Sequence, residues 1–177
     1  MKSDETARIR ERAARLLARA GIAVTPQEKA AMEVVDFGLG DIKNLGLEII
    51  VYENNARYCA KELVLFPRQT CPEHRHPRLS RTNIGKQETF RCRSGVVYLY
   101  IPGEPATDPK ASIPKRYAKH FTVWREIILR PGDQFTLPPD TLHWFQAGAG
   151  GAVVSEFSST STDESDVFSD PAIRRVP

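Results

Sequence analysis

The chain has 177 residues, a formal net charge of +3 and a hydrophobic fraction of 41%. This length and composition are typical of one globular domain with a substantial core. Its Lys and Arg residues are scattered among acids, so the sequence gives no support for a nucleic-acid partner. Charges run through the first residues, MKSDETARIRERAARL, and no apolar run is long enough to cross a bilayer. We therefore expect a cytoplasmic protein without a membrane partner.

The cysteines predict reduced thiols rather than a disulfide framework. Cys59, Cys71 and Cys92 are odd in number and accompany no secretion signal. Cys71 comes shortly before His74, but a structural zinc site of Cys and His normally offers a second closely spaced pair, and none is present. We expect Cys71 to be a small buried apolar residue.

Helical patterns are confined to the start of the chain. Ile9, Leu16 and Leu17 recur at near-helical spacing, which predicts an amphipathic helix over residues 3–20. Thr25 and Glu28 then form a capping box with proline between them, which predicts a short second helix. We expect residues 1–34 to be a helical N-terminal segment.

The rest of the chain has strand patterns. Residues rich in β-branched and aromatic side chains occur in LEIIVYE, KELVLF, TFRCR, VVYLYI, FTVWREIIL, QFTLP and AVVSEF. Turn residues separate them, among them Gly95, Gly132 and the glycines of residues 148–151. Many short strands predict a mainly β sandwich or barrel, with surface loops at residues 77–85 and 103–119. The tail from Ser158 either folds over the barrel mouth or is disordered.

The most informative motif is His74-x-His76 in the run CPEHRHP. Successive side chains of a strand alternate between its faces, so these two imidazoles point the same way. Glu88 and His143 lie downstream in strand-like segments and complete a set of three imidazoles and one carboxylate, which predicts a metal site. The pair alone is weak evidence, since a histidine on a strand is usually a surface or core residue. The sequence has no glycine-rich phosphate loop and no Gly-x-Ser-x-Gly elbow.

These residues resemble the two motifs of the cupin superfamily. The matching positions are His74, His76, Glu88 and Gly95 in the first motif, and Gly132, Pro138 and His143 in the second. The resemblance implies a single-domain cupin, a double-stranded β-helix or jelly-roll barrel, over residues 35–171, with a short tail at residues 172–177. The gap between His76 and Glu88 is longer than in common cupins, which implies an inserted loop beside the metal, and Ala147 replaces a frequent asparagine.

A closer resemblance, to the D-lyxose isomerase family of cupins, extends over about residues 35–171. It is carried by CPEHRHP, GKQETFRCR, YLY, PP followed by HWFQAG, and SEFSSTSTD with a later DP. The resemblance implies an aldose–ketose isomerase that interconverts D-lyxose and D-xylulose. It also implies a sugar as the small-molecule substrate, manganese (Mn²⁺) as the usual metal and a homodimer as the usual assembly.

The expected chemistry needs a proton shuttle beside the metal. The four-ligand set leaves positions open for two adjacent sugar oxygens, and a chelated carbonyl acidifies the neighbouring C–H. Isomerisation through an enediol moves a proton between neighbouring carbons, which requires a base near both. Glu156 is the preferred catalytic base. Lys86 is two residues before Glu88 and shares its strand face if the strand extends that far, where it could donate to or orient a substrate oxygen.

Each of these two roles has a structural alternative. Lys86 could instead be a solvated lysine at a loop edge, and Glu156 could pair with a barrel arginine. Other polar residues rank lower. We expect Glu73 to face solvent because its strand parity is opposite to that of the histidines. Acids that we expect to solvate the tail are Asp163, Asp166 and Asp170.

Aromatic residues and arginines complete the expectations. Trp144 alternates with His143 and is expected to pack outward, while Phe145 shares the face of His143 and is expected in an apolar wall. Arg91 and Arg93 are expected on a solvated face or in a dimer contact.

Two other functions fit the same ligand set. A non-haem iron dioxygenase can use an open site of histidines and a carboxylate to activate oxygen. A cupin can also bind a sugar or metal without turning it over. The barrel alone does not separate these functions from an isomerase.

Overall fold

The computed structural model describes residues 3–175 and is mainly β, as the sequence predicts. Two helices open the chain, α1 (Ser3–Arg19) and α2 (Pro26–Ala31). The strands that follow are β1 (Glu33–Val35), β2 (Leu47–Asn54), β3 (Cys59–Leu65), β4 (Thr70–Arg75), β5 (Glu88–Ile101), β6 (Arg125–Leu129), β7 (Gln134–Leu137), β8 (His143–Ser158) and β9 (Val167–Phe168).

The strands form one antiparallel sheet that curls around a core. Its main path runs β1-β2-β3-β8-β4-β9, and β5 pairs with β6, β7 and β8. The long strands β5 and β8 pair with each other, and this pairing joins β6 and β7 to the strands of the main path. Apolar side chains from the inner faces, including Leu63, Phe90, Leu99 and Phe145, form the main core. Within the described chain, β1, β6, β7 and β9 each pair with one strand only and are the edges of the sheet.

Glycines bend the two long strands instead of ending them. The sequence predicts turns at Gly95 and at residues 148–151, but β5 and β8 continue through these positions with register shifts. Gly95 has φ +78°, and a Cβ there would lie 2.0 Å from the Gly151 carbonyl oxygen. No other residue fits this approach, so the glycines allow a sharp corner within paired strands.

The predicted N-terminal helices are confirmed and cover one outer face of the sheet. Leu17 of α1 packs with Met32, Ile50 and Val64 in a second apolar cluster. The capping box forms as predicted, because the Thr25 hydroxyl accepts a hydrogen bond from the Glu28 amide and the Glu28 carboxylate accepts one from the Thr25 amide. Such a cap contributes about 1 kcal/mol. Within residues 3–175 no helix is long and apolar enough to span a membrane.

The segment between β5 and β6, residues 102–124, covers another outer face. Trp144 points outward as expected, yet it is fully buried because this segment lies over it. Its ring stacks on Tyr100 at 4.0 Å between centroids, and its Nε1 donates a hydrogen bond to the Val123 carbonyl. The expectation of a simple surface loop at residues 103–119 was wrong for Ala111 and Tyr117, which are buried in the same apolar cluster as Trp144.

Residues 158–175, hereafter the C-terminal strap, fold against the barrel. Within the strap β9 pairs with β4, so that Phe168 lies opposite His74. At the beginning of the strap, Asn54 exchanges hydrogen bonds with the backbone of Ser161. Residues up to 175 thus pack with the barrel, including part of the predicted tail at residues 172–177. The last residues of that tail, 176–177, and residues 1–2 lie outside the described chain.

Candidate metal centre and active site

Three buried imidazoles meet at one end of the barrel interior. His74 and His76 come from β4 and the residue after it, and His143 opens the neighbouring strand β8 in register with His74. One ring nitrogen from each of the three lies within 4.8 Å of the other two. The alternation expected of His-x-His and the pairing of β4 with β8 together produce this convergence.

Each imidazole is oriented by an acceptor for its Nδ1 hydrogen. His74 donates to the Pro72 carbonyl (2.8 Å) and His143 to the Thr141 carbonyl (2.9 Å). His76 donates to the Asp166 carboxylate (2.5 Å). These bonds direct the three Nε2 atoms inward and, in the neutral imidazole, leave the lone pair on Nε2, as is usual for metal-binding histidines.

The carboxylate of Glu88 completes the cluster. Its Oε1 lies 3.2 Å from Nε2 of His76 and 3.0 Å from Nε2 of His143. Nε2 of His143 is buried, and within the described chain it has no aligned hydrogen-bond partner. A buried nitrogen lone pair without a partner is costly unless something binds it. The four predicted ligands thus lie together with the donor chemistry that a divalent cation requires.

Lys86 and Glu156 lie beside this cluster and contact each other. Lys86 Nζ is 2.8 Å from Oε2 of Glu88 and 2.6 Å from Oε1 of Glu156. All three side chains are buried, so the alternative of a solvated Lys86 was wrong. The contact with Glu156 is an ion pair without hydrogen-bond alignment, which leaves a lone pair on Oε1 available. Glu156 therefore pairs with a lysine, not with a barrel arginine.

The protonation of this cluster follows from burial and neighbouring charges. Burial, with the other two imidazoles, holds the pKa of His74 well below its usual value. Burial also opposes charge on His76 and Lys86, but adjacent carboxylates outweigh it: they raise the pKa of His76 to about 9 and that of Lys86 well above its usual value. A cation that binds Nε2 of His76 therefore displaces a proton.

Sequence reasoning missed the part of the cavity that comes from the C-terminal strap. Besides the predicted residues, the polar lining includes Lys61, Asp163, Asp166 and Arg175. Asp163 accepts from Lys61 and from Arg175, each at 2.8 Å. The expectation that Asp163 and Asp166 solvate a tail was wrong, because the strap folds inward. Val167 and Phe168, which follow Asp166, were the available sequence signal for a short strand.

Charge on the cavity wall favours a cation. Four carboxylates, those of Glu88, Glu156, Asp163 and Asp166, face the cations of Lys61, Lys86 and Arg175. Together with the protonated His76, these three cations balance the four carboxylates, so the wall has one net negative charge once His76 releases its proton to a binding cation. The apolar remainder of the wall includes Phe90, Phe145 and Phe168, so Phe145 lies in an apolar wall as expected.

Glu73 departs from its expected exposure. It lies outside the cavity, on the face opposite to His74, as its parity predicts, but it is only 1% exposed. Its carboxylate accepts hydrogen bonds from the Thr122 amide and hydroxyl, the Val123 amide and the Ser169 hydroxyl. The outer face was predicted to meet solvent, whereas residues 102–124 and the strap cover it. Asp170 is likewise not an exposed tail acid, since its side chain is 11% exposed and lies near His120.

Solved structures similar to this one show the fold. L-ribose isomerase of Acinetobacter sp. DL28, in complex with L-ribose, has a TM-score of 0.82 and 17% identity, with 98% of this chain and 94% of that chain covered. L-ribose isomerase of Cellulomonas parahominis, with no ligand, has a TM-score of 0.79, 19% identity and the same coverage. With the curled antiparallel sheet described above, the prediction of a single-domain cupin is confirmed.

Curated relatives and a family model agree with each other. The chain is 62% identical to a D-lyxose ketol-isomerase of Thermofilum sp. over 168 residues, which is 95% of this chain and 93% of that protein. It is 58% identical to a D-lyxose/D-mannose isomerase of Thermosediminibacter oceani over 177 residues, covering 100% of this chain and 97% of that protein. A sequence model described as D-lyxose isomerase matches residues 19–177. The chain therefore belongs to the D-lyxose isomerase family.

Proposed function

We propose that this protein is a metal-dependent aldose–ketose isomerase that interconverts D-lyxose and D-xylulose. The single observation that carries the proposal is the placement of the Lys86–Glu156 ion pair against the His74, His76, His143 and Glu88 cluster. A metal set alone would equally suit a dioxygenase or a sugar-binding cupin. A buried acid and base beside it are what an enediol mechanism requires. Membership of the isomerase family supports the same choice.

The metal proposal rests on donor chemistry. Three inward Nε2 atoms, the unpartnered one of His143 among them, and a carboxylate suit a divalent transition metal, and Mn²⁺ accepts such a mixed nitrogen and oxygen set. When bound, the ion would polarise the sugar carbonyl and acidify the adjacent C–H. We propose Mn²⁺ as the metal on the strength of the family resemblance.

The proton transfer is assigned to Glu156. Its carboxylate removes the proton from C2 of the aldose and returns it to C1, so that C2 becomes the carbonyl of the ketose. The accompanying hydroxyl proton moves from O2 to O1, which balances the isomerisation. The Lys86 ammonium donates to the substrate oxygen on which negative charge develops, and it holds Glu156 in place by their 2.6 Å contact.

The hydroxyl groups of the sugar need further polar partners. Lys61 Nζ donates to the Ser161 hydroxyl at 2.9 Å and to Asp163 at 2.8 Å, and its third hydrogen is available to the cavity. The Thermosediminibacter oceani relative is named for D-mannose as well as for D-lyxose. We propose a pocket that accepts D-lyxose and tolerates a hexose of the same configuration at the reacting carbons.

Glu156→Gln tests the function directly. The amide keeps the size of the side chain but cannot take up the C2 proton, so conversion of D-lyxose to D-xylulose with added Mn²⁺ should fall about a thousandfold. Assays run without oxygen separate an isomerase from a dioxygenase, since isomerisation needs none. Elemental analysis should find unchanged metal content.

The control for this variant is Glu53→Gln, which neutralises an exposed acid of β2 and should leave turnover unchanged. Oxygen consumption by the wild-type protein without D-xylulose formation would assign it to the dioxygenases. Full activity of Glu156→Gln would exclude Glu156 as the base.

We also propose a homodimer formed through the outer face of β3, β8 and β5. Phe157 is 52% exposed and lies opposite Ala60 and Thr89. In the next row, the exposed Arg91 lies opposite Ser155, whereas Glu62 on the other side of Ser155 is buried and accepts a hydrogen bond from the Ser155 hydroxyl. The exposed aromatic area of Phe157 on a paired sheet face suits a second copy packed across a two-fold axis. Light scattering should give the mass of two chains, and a monomer at micromolar concentration would contradict this.

The compartment stays a prediction. Cys59, Cys71 and Cys92 are free and buried, in keeping with the proposed cytoplasmic enzyme. Burial raises the pKa of the Cys71 thiol well above its usual value, which supports the expectation that Cys71 is structural.

A further inference from the structure

Glu73 ties together three separate parts of the chain. It precedes His74 in β4, and its Oε1 accepts from the Ser169 hydroxyl at 2.6 Å and from the Thr122 hydroxyl at 2.9 Å. Its Oε2 accepts from the Thr122 amide at 2.5 Å and from the Val123 amide at 3.0 Å. Its carbonyl oxygen also accepts from the Ser169 amide at 3.0 Å. A buried carboxylate with four donors is a rigid anchor.

The strap residues just before Ser169 touch two of the histidines. Asp166 receives the Nδ1 hydrogen of His76 at 2.5 Å. The Phe168 ring lies against the His74 ring, with centroids 5.3 Å apart and an interplanar angle of 27°. Both contacts require the strap to stay against β4, and β9 is only two residues long. A two-residue ladder is too short to hold a strand by itself.

We propose that Glu73 and Ser169 form a latch that positions the metal-binding histidines. Glu73 is thus a positioning residue: it holds Ser169, and Ser169 holds Asp166 and Phe168 against His76 and His74. This inference rests on the metal site of the proposed function and adds residues that touch neither metal nor sugar. Loss of the latch lets the strap move away, so that the imidazoles lose their fixed orientation and bind the cation more weakly.

The test uses Ser169→Ala, which removes one hydroxyl and leaves the Glu73 carboxylate and the backbone pairing in place. Chelator-treated protein is titrated with Mn²⁺ by calorimetry, a readout that needs no turnover. Ser169→Ala should weaken Mn²⁺ binding about fivefold. This loss is smaller than the 10- to 100-fold typical of removing a residue that hydrogen-bonds directly to a metal ligand, because Ser169 acts through Asp166. Thermal unfolding confirms that each variant is folded, and His143→Ala serves as the variant without Mn²⁺ binding.

Thr122→Val is the matched control. It removes the other hydroxyl that donates to the same Glu73 oxygen, but from residues 102–124 instead of the strap. Mn²⁺ affinity should stay within about twofold of wild type, since this bond does not hold Asp166. An equal loss in both variants would assign the effect to Glu73 itself and overturn the strap latch.

A double-mutant cycle with Asp166→Ala separates positioning from general weakening. Asp166→Ala alone should weaken Mn²⁺ binding about 10- to 100-fold. If Ser169 acts mainly through Asp166, adding Ser169→Ala should cost less than about twofold more. Losses that multiply, or an unchanged affinity of Ser169→Ala, would overturn the latch. If the protein does not isomerise D-lyxose but the double-mutant cycle gives the expected Mn²⁺ affinities, the proposed activity is wrong and the proposed latch is supported.

Discussion

Two regions of the molecule that bury carboxyl groups, the cavity and the sheet face beneath the helices, treat the charge of those groups in opposite ways. In the cavity, Glu88 and Glu156 both contact Lys86, at 2.8 and 2.6 Å. On the outer face of the sheet, beneath the helices, Glu48 accepts one hydrogen bond from Gln69 at 3.2 Å, and its Oε2 has no partner within residues 3–175. Both regions are almost completely shielded from solvent.

The difference shows what keeps a buried acid charged. Burial opposes ionisation of Glu88, but Lys86 and His76 outweigh it and hold its pKa well below the usual value. Burial dominates at Glu48 and raises its pKa to about 8, with only modest opposition from Gln69 and Arg12. A buried charge persists where a partner compensates for lost hydration, and otherwise the group becomes neutral. The cavity therefore keeps a set of charges that its chemistry can use.

Lys86→Met should have the larger effect, because it removes the partner that the two cavity carboxylates share. Methionine fills similar space without charge. The free energy of unfolding should fall by about 3–5 kcal/mol, since buried acids lose their compensating cation. D-Lyxose isomerisation should fall at least about a hundredfold, since no group then donates at that position. Denaturant unfolding and the activity assay measure the two losses.

The double variant Lys86→Met/Glu156→Gln is the control for this prediction. It removes one of the two unpaired carboxylates, so its unfolding free energy should exceed that of Lys86→Met although it is also inactive. If Lys86→Met is as stable as wild type, the cavity acids do not depend on the lysine, and the contrast with Glu48 disappears.

The face of the sheet on which each site residue lies could be predicted, because side chains alternate between the two faces along a strand. This alternation placed His74 and His76 on one face, and Glu73 and Trp144 on the opposite one. What covers an outer face could not be predicted, because residues 102–124 and the strap reach it through contacts between residues far apart in sequence. Glu73 was therefore expected to face solvent and Trp144 to pack outward, whereas both are buried under these segments.

The strap shows the same limit more strongly. Its acids look like those of a solvated tail, because composition gives the average polarity of a segment and does not show where the segment packs in the folded protein. Asp163 is held by Lys61 of β3, and Asp166 by His76 after β4. Only the folded barrel brings these partners within reach. The glycines of β5 and β8 were recognised as special, but a turn and a bend within a strand require the same positive φ.

Glu48→Gln should affect stability alone, and with the opposite sign. In the unfolded chain a glutamate ionises near its usual pKa of about 4.3, whereas in the folded protein Glu48 stays protonated up to about pH 8. Between these values the unfolded state has released a proton that the folded state retains. The wild-type unfolding free energy therefore falls as pH rises through this window. A glutamine at this position does not titrate and is free of this loss.

The measurable quantity is the slope of stability against pH, because it does not depend on how well the amide packs. Denaturant unfolding at intervals from pH 5 to pH 8 should show Glu48→Gln gaining on wild type by up to about 1.4 kcal/mol per pH unit. Any constant cost of the new amide beside Gln69 shifts the whole curve and leaves the slope unchanged. Glu53→Gln, on the same strand but exposed, should run parallel to wild type. If the stability curve of Glu48→Gln also runs parallel to that of wild type, Glu48 is ionised in the folded protein. The two regions would then differ in where their carboxyl groups lie, but not in whether those groups are charged.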